Sequence, residues 1–317
     1  MNQAKETDGM TNQKEIQHEG VFSLMLTPFK QNLEIDWKTY DEYVDWQLAA
    51  KPHGLFAVCG SSEMKWLTLE ERLMLSQQTV NRAGGTPVLA TANVQHDILE
   101  HKEEVRRMID TGVSGIVLVP PEGLGEEQDR LMDYFAQLAN VADIPVFLYE
   151  WPQTNPYFIS PEIWGKLTNE FGIKGIKDTT CTFEGIKAKI IETNGNSLVY
   201  QANTPFMLDA IAADAKGIMA ITSAAFNELV VEFWKEASKD HSSLHAKKLH
   251  QYLVFLDSVL RFGYPATAKY LAKLQGISME TFCRWPVELN PEAKKAVDVF
   301  YEVYKQWQDA EQGSIFR

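Results

Sequence analysis

Two side chains at the ends of apolar segments carry groups suited to chemistry on a carbonyl compound. Lys177 ends the apolar segment that begins at Ile173, and Tyr149 ends the segment before it. Burial of the lysine would lower its pKa and leave a neutral amine, a nucleophile toward carbonyl carbon. The phenol could shuttle a proton to a carbinolamine or an aldol hydroxyl. Alone, Lys177 could equally extend to solvent or pair with Asp178, and Tyr149 could be a core tyrosine.

A third feature is a pair of serines. Ser61 and Ser62 follow Gly60 at the end of another apolar segment. In such a turn, backbone amides and hydroxyls can converge on a carboxylate. A plain turn or helix cap uses the same residues. The lysine, the phenol and the serine turn together indicate chemistry more specifically than any one of them, provided that one fold brings them to the same place.

Eight short β-rich segments, each followed by a helical pattern, provide such a fold. The first six begin about 30 residues apart, the spacing of one unit of a (β/α)8 barrel. Most are almost wholly apolar, as expected of parallel strands covered on both faces. The sequence therefore predicts an α/β fold, a (β/α)8 TIM barrel whose catalytic groups lie at the carboxyl ends of the strands. The predicted strands are Val21 to Leu26, Leu55 to Cys59, Pro87 to Ala90, Ile116 to Val119, Pro145 to Tyr149, Ile173 to Lys177, Leu198 to Gln201 and Ile218 to Ile221.

The competing topology is a doubly wound parallel sheet. A dinucleotide-binding version needs a glycine-rich turn after the first strand, and the turn here is Thr27-Pro28-Phe29-Lys30. No phosphate-binding G-x-x-x-x-G-K-[ST] motif occurs either. Nucleotide binding is therefore disfavoured, and no cofactor is expected.

The chain divides into three predicted regions. Residues 1–19 are polar and read as a flexible tail, and residues 20–240 hold the barrel. In residues 241–317 the strand rhythm stops, and helical patterns predict a C-terminal helical extension packed on the barrel. Gly263-Tyr264-Pro265 interrupts this extension, and a helix restarts at Ala266.

Composition excludes several classes of protein. The 317 residues carry a net charge of −13 and no Lys/Arg cluster, which argues against nucleic-acid and membrane partners. The three cysteines form no C-x-x-C pair, and no apolar run is long enough to span a membrane. No metal site is expected, because His241 and His245 lie on a helix of the extension. We expect a cytoplasmic protein that binds a small molecule.

The combined motifs resemble the dihydrodipicolinate synthase / N-acetylneuraminate lyase family of class I, Schiff-base aldolases. The resemblance covers residues 20 to about 285. It rests on Leu26-Thr27-Pro28-Phe29, Gly60-Ser61-Ser62-Glu63, Tyr149-x-x-Pro152, Gly175-Ile176-Lys177-Asp178-Thr179 and Gly217-Ile218-Met219.

The resemblance implies a role for each motif. Lys177 would form the Schiff base with pyruvate or another 2-oxo acid, with Tyr149 as proton donor and acceptor. Ser61 would belong to a proton relay beside Tyr149, and Ser62 would hold the 2-oxo acid carboxylate. Met219 would make a backbone contact to pyruvate. Family members are commonly homotetramers, which implies a homo-oligomer.

Three departures from the family pattern bear on the substrate. The turn Gly60-Ser61-Ser62-Glu63 lacks the glycine that usually precedes the glutamate. Pro120-Pro121-Glu122 stands where the synthases have a tyrosine lent across a dimer interface to the partner's relay. No arginine follows Pro152 to bind the carboxylate of a second substrate.

These departures favour a lyase that cleaves, condenses or dehydrates a sugar-acid-type substrate. We expect Glu122 and Glu150 to line the barrel lumen and bind substrate hydroxyls, together with Gln201 and Asn203. The alternatives are dihydrodipicolinate synthase proper and a non-catalytic barrel that binds a 2-oxo acid. An unrelated metal-dependent reaction would need ligands at several strand ends, where no histidine stands.

Overall fold

Eight short parallel strands alternate with helices from the first strand, which begins at Gly20, to the helix that ends at Ala225, and only helices follow. The computed structural model describes residues 18–315, with side chains described to residue 309. Every strand residue is buried except Leu198, which explains the nearly continuous apolar segments of the sequence. The strands are β1 (Gly20–Leu24), β2 (Gly54–Val58), β3 (Val88–Thr91), β4 (Gly115–Leu118), β5 (Val146–Tyr149), β6 (Gly175–Asp178), β7 (Leu198–Gln201) and β8 (Gly217–Ile218).

The sheet is closed. Each strand pairs in parallel with the next along the chain, and β8 pairs with β1. The predicted (β/α)8 barrel is therefore confirmed, and the doubly wound topology is wrong, because an open sheet would leave β1 and β8 without this pairing. The helices are α1 (Trp37–Ala49), α2 (Leu69–Arg82), α3 (His101–Ile109), α4 (Gln128–Ala139), α5 (Pro161–Phe171), α6 (Phe183–Glu192), α7 (Met207–Ala212), α8 (Ile221–Ala225), α9 (Asn227–Ala237), α10 (Leu244–Leu260), α11 (Ala266–Leu274) and α12 (Pro291–Ile315).

The last strand is shorter than predicted. The apolar run Ile218 to Ile221 reads as a strand, but β8 ends at Ile218 and α8 begins at Ile221. The chain turns there because the amide and hydroxyl of Ser223 both donate to the carbonyl oxygen of Ala220, at 3.1 and 2.7 Å. Apolar content alone could not separate a buried strand from a buried helix start.

The C-terminal helices pack on the helices that follow β8. Helix α10 lies against α8, α9 and α12, and α11 lies against α8 and α12. Gly263-Tyr264-Pro265 separates α10 from α11, as predicted. Of the predicted tail 1–19, residues 1–17 lie outside the described residues, and the His18 ring packs between Phe22 and Phe147. The boundaries at residues 20 and 240 stay predictions.

Candidate active site

Lys177 and Tyr149 face each other at the carboxyl ends of adjacent strands. They are register partners in the β5–β6 pair, and Lys177 Nζ lies 4.1 Å from the centre of the Tyr149 ring. Lys177 is 4% exposed and Tyr149 is 5% exposed. Phe56 of β2 completes this wall, with its ring centre 5.7 Å from the lysine nitrogen. The barrel thus holds the amine among aromatic rings at its catalytic end.

The environment of Lys177 raises the fraction of its amine that is neutral. Burial lowers the pKa of Lys177 to about 8, and no carboxylate in the described part of the chain pairs with it. Asp178 does not serve as its partner, because successive strand residues point to opposite faces. The Asp178 carboxylate instead lies 2.7 Å from Lys189 Nζ. The structure therefore contradicts both alternatives for Lys177, namely extension to solvent and pairing with Asp178.

The phenol of Tyr149 sits against the turn after β2. A Cβ on Gly60 would lie 3.1 Å from Tyr149 Oη and 3.3 Å from Trp151 Nε1, so that an added methyl would press on both side chains. Burial raises the pKa of Tyr149 far above its usual value, which keeps the phenol protonated. Among residues 18–315 no hydrogen bond to the Tyr149 hydroxyl occurs, so that it is available to a substrate atom or to a neighbouring hydroxyl.

The two serines of this turn differ in what they bind. Ser61 Oγ accepts a hydrogen bond of 2.5 Å from Tyr264 Oη, in the break between α10 and α11. Ser62 is hydrogen-bonded to the main chain of Cys59. Its hydroxyl donates to the Cys59 carbonyl oxygen at 2.8 Å, and its amide donates to the same oxygen at 3.2 Å. The carboxylate contact expected of Ser62 would have to share these bonds, and it stays a prediction.

The missing glycine of the serine turn has a structural substitute. Glu63 itself adopts the left-handed conformation, with φ of 62°, which costs a non-glycine residue roughly 1–2 kcal/mol. Its buried carboxylate is held by Lys269 Nζ at 2.6 Å and by the main-chain amides of Arg284 and Trp285, each at 2.7 Å. The turn therefore depends on the C-terminal extension, a relationship that strand and helix patterns did not reveal.

The prediction that Glu150 lines the barrel lumen is wrong. Its Oε1 accepts from Lys189 Nζ at 2.7 Å and from the Ile159 amide at 2.9 Å, and its Oε2 accepts from the Thr179 amide at 3.0 Å. As the residue after Tyr149, it points away from the barrel axis. Burial raises the pKa of Glu150, and the Lys189 charge opposes this effect. The substrate-binding role is corrected to a structural one.

The other predicted lumen residues lie at separate parts of the mouth. Glu122 is exposed on the loop after β4, where its carboxylate accepts from the Asn155 amide at 3.3 Å. Gln201 Oε1 accepts from the Asn203 amide at 2.6 Å, and Asn203 Oδ1 accepts from Cys181 Sγ at 2.9 Å. Asn203 Nδ2 is buried and has no protein partner in the described part of the chain.

Met219 follows β8 and is buried. Its amide donates to the Gln201 carbonyl oxygen at 3.0 Å, so a backbone contact to a 2-oxo acid would be made by its own carbonyl group. That contact stays a prediction. Sequence reasoning missed Tyr264, because Gly263-Tyr264-Pro265 was interpreted only as a helix break. Within residues 18–315, no cluster of three or more His, Cys, Asp or Glu side chains could hold a metal ion, and no described helix could cross a membrane.

The fold and the placement of Lys177 and Tyr149 at strand ends define a (β/α)8-barrel enzyme. The sequence profile of the Dihydrodipicolinate synthetase family matches residues 17–302, and the chain belongs to that family and to its class of lyases. It is 28% identical to the 4-hydroxy-tetrahydrodipicolinate synthase of Oceanobacillus iheyensis over 72% of this chain and 79% of that protein.

Two further similarities extend over most of the chain. An uncharacterized DapA-like lyase of Thermococcus onnurineus is 26% identical over 87% of this chain and 95% of that protein. The Escherichia coli K12 prophage protein YagE, solved in complex with pyruvate, has a TM-score of 0.84 at 21% identity, covering 91% of this chain and 99% of that one. The structural likeness supports the shared fold, and the family resemblance predicted from the motifs is confirmed.

Proposed function

We propose that the protein is a Schiff-base lyase, in which Lys177 forms an imine with the keto carbon of pyruvate or another 2-oxo acid. One observation carries this proposal: the Lys177 amine is buried beside the Tyr149 ring with a pKa of about 8 and no carboxylate partner in the described residues. A buried amine of this kind attacks carbonyl carbon at neutral pH. No metal is required for that step.

The reaction begins with the neutral amine adding to the keto carbon to give a carbinolamine. Loss of water gives the protonated imine, and overall one proton is consumed and one water released. The protonated imine withdraws electrons, so a carbon–carbon or carbon–oxygen bond beside it can break as an enamine forms. In this proposal Tyr149 donates and accepts the protons, Ser61 relays them, and Ser62 and Met219 hold the carboxylate end.

For the second part of the substrate we propose a sugar-acid-type chain. A cavity of about 1110 Å³ lies beside the mouth and borders Trp151, which reaches the Gly60 turn. The side-chain amides of Gln95 and Gln153 contribute to its wall and suit substrate hydroxyl groups. The charged side chains of Lys65, Arg130 and Glu122 also line it. No arginine follows Pro152 to bind a second carboxylate.

The test is intact mass after incubation with pyruvate and borohydride, with Lys177→Ala alongside. A pyruvyl-sized adduct on the wild type that is absent from the variant supports the imine. Larger 2-oxo acids are tried if pyruvate gives none, and failure of all of them would leave a non-catalytic binding barrel. Turnover of sugar-derived 2-oxo acids is then compared with condensation of pyruvate and aspartate semialdehyde. Faster condensation would instead indicate dihydrodipicolinate synthase proper, the activity named for the curated relatives.

We also propose a homo-oligomer, a tetramer by family resemblance. Leu99 is 83% exposed and lies beside the exposed Ile98 in the loop after β3, an apolar patch that a second copy could cover. Sedimentation velocity over a range of concentrations tests this assembly, and a monomer at all concentrations contradicts it.

A further inference from the structure

The Schiff-base reaction proposed above needs a proton path to a buried phenol. Formation of the protonated imine consumes one proton, and Tyr149 is 5% exposed. A phenol that gives its proton to the departing hydroxyl must be reprotonated before the next turnover. The path must therefore leave the barrel mouth through another group that can both accept and donate.

Tyr264 is placed to be the outer end of such a path. Its hydroxyl donates to Ser61 Oγ over 2.5 Å, and the side chain is partly exposed, unlike Tyr149. Ser61 is the residue after Gly60, against which Tyr149 Oη packs. The Ser61 hydroxyl accepts from Tyr264, so its own proton remains free to point toward Tyr149.

The position of Tyr264 is set by the C-terminal extension. Thr267 Oγ1 donates to the Leu260 carbonyl oxygen at 2.6 Å, which joins the two sides of the break that holds Tyr264. Two residues further along α11, Lys269 forms an ion pair with Glu63, which lies two residues after Ser61. The extension thus fixes both the Tyr264 side chain and the turn that carries Ser61. The hydrogen bond between Tyr264 and Ser61 is therefore preorganised.

Resting on the proposed function, we infer that Tyr264 supplies protons to the imine-forming site through Ser61. In each imine formation Tyr149 gives one proton to the departing hydroxyl, which leaves as water. Ser61 gives its proton to the Tyr149 oxygen, Tyr264 gives its proton to Ser61, and solvent water restores Tyr264. Tyr264 is a positioning residue that acts through Ser61, and all three hydroxyls of the relay belong to one chain.

The test compares Tyr264→Phe with Tyr270→Phe, a matched loss of a tyrosine hydroxyl on the same extension. Tyr270 Oη bonds Asp298 at 2.7 Å and has no contact with the site. Two readouts are used: deuterium exchange of the pyruvate methyl group in D2O, and the rate of borohydride trapping. Positioned acid–base groups accelerate proton transfer about 100- to 10,000-fold, and water can partly replace a missing hydroxyl. We therefore expect Tyr264→Phe to slow both the deuterium exchange and the borohydride trapping about 10- to 100-fold.

The final yield of adduct and KM should change little in Tyr264→Phe, and Tyr270→Phe should behave as wild type. The double variant with Ser61→Ala should be no slower than Ser61→Ala alone, because both residues act in one path. Rates equal to those of Tyr270→Phe, or effects that multiply in the double variant, overturn the relay. If Tyr264→Phe does not fold, Ser61→Ala tests the same link from the β2 side, and unchanged exchange overturns it.

The relay and the proposed function fail in different ways. A wild-type protein that forms no adduct with any 2-oxo acid overturns the Schiff-base function itself. A wild-type adduct with unaffected Tyr264→Phe rates overturns only the relay.

Discussion

Lys269 Nζ on α11 lies 2.6 Å from Oε1 of Glu63 in the turn after β2, and both side chains are fully buried. Lys269 also donates to the Phe282 carbonyl oxygen at 2.6 Å. Helix α11 therefore holds the turn that presents Ser61 to the barrel mouth. The C-terminal extension takes part in building the candidate site.

Loss of either side chain of the Lys269–Glu63 pair should lower the stability of the fold. Lys269→Met leaves the Glu63 carboxylate buried without its counter-charge, which we expect to lower the free energy of unfolding by about 3–5 kcal/mol. Lys273→Met is the control on the same helix, because Lys273 and Glu280 form an exposed pair and its loss should cost less than about 1 kcal/mol. Urea unfolding measures both, and equal losses would contradict the importance of the buried pair.

Imine formation should follow the titration of Lys177. With a pKa of about 8, about a tenth of the lysine is neutral at pH 7, against less than about one part in a thousand for an ordinary lysine. The rate of borohydride trapping should rise about tenfold per pH unit below pH 8 and level off above it. Rapid-quench trapping from pH 6 to 10 gives the profile, and a midpoint above pH 10 would falsify the assigned environment.

The same lowered pKa destabilises the fold while Lys177 is protonated. Because the folded pKa of about 8 is below the unfolded value of 10.5, stability rises as pH rises between these values, and the penalty is full below pH 8. Lys177→Met should therefore raise the free energy of unfolding by about 3 kcal/mol at pH 7, from the difference between the two pKa values, and by much less near pH 10.5. Urea unfolding at the two pH values checks this, and a gain that does not depend on pH would contradict it.

A methyl group on Gly60 should displace the Tyr149 phenol. The added methyl of Gly60→Ala would press on Tyr149 Oη and Trp151 Nε1, while the backbone conformation at this position suits alanine. We expect kcat to fall about 10- to 100-fold through displacement of the phenol, since small misplacements of catalytic groups carry penalties of that order. Steady-state kinetics measure the fall in kcat, and a thermal melt shows whether the substitution also lowers the stability of the fold. Wild-type kcat in Gly60→Ala would show that the phenol does not need this close approach.

The two glutamates once expected to bind substrate should behave differently. Glu150→Gln leaves Lys189 paired with Asp178, but glutamine cannot accept all the hydrogen bonds that Glu150 accepts from Lys189 and from the Ile159 and Thr179 amides. We expect the free energy of unfolding to fall by about 1–3 kcal/mol, the cost of a buried donor left unsatisfied. Glu122→Gln, at an exposed position, should change stability by less than about 0.5 kcal/mol. Unfolding curves and KM for the best substrate test both residues, and a raised KM for Glu122→Gln alone would identify it as the substrate contact.

Much of the barrel could be predicted from the sequence because its signals are local. Parallel strands buried on both faces require apolar runs. Helices α1, α2, α5 and α6 begin at capping residues whose hydrogen bonds need only their own neighbours. At Thr68, for example, the side chain accepts from the Glu71 amide and Glu71 accepts in return from the Thr68 amide. The motifs around Lys177 and Tyr149 were recognisable for the same reason, since each lies at the end of such a run.

The direction and the partners of the side chains were decided only by the tertiary structure. Glu150 was assigned to the lumen from its place beside Tyr149, but strand alternation and the distant Lys189 turn it toward the helices. Tyr264 lies 203 residues from Ser61, and Lys269 lies 206 from Glu63. The sequence by itself determined the barrel and the place of Lys177 at a strand end, because both depend on local pattern. Packing of the barrel placed the rings of Tyr149 and Phe56 beside Lys177, and docking of α11 fixed the turn that carries Ser61. Only the tertiary structure decided these contacts, because they join residues whose separation in sequence leaves no periodic trace.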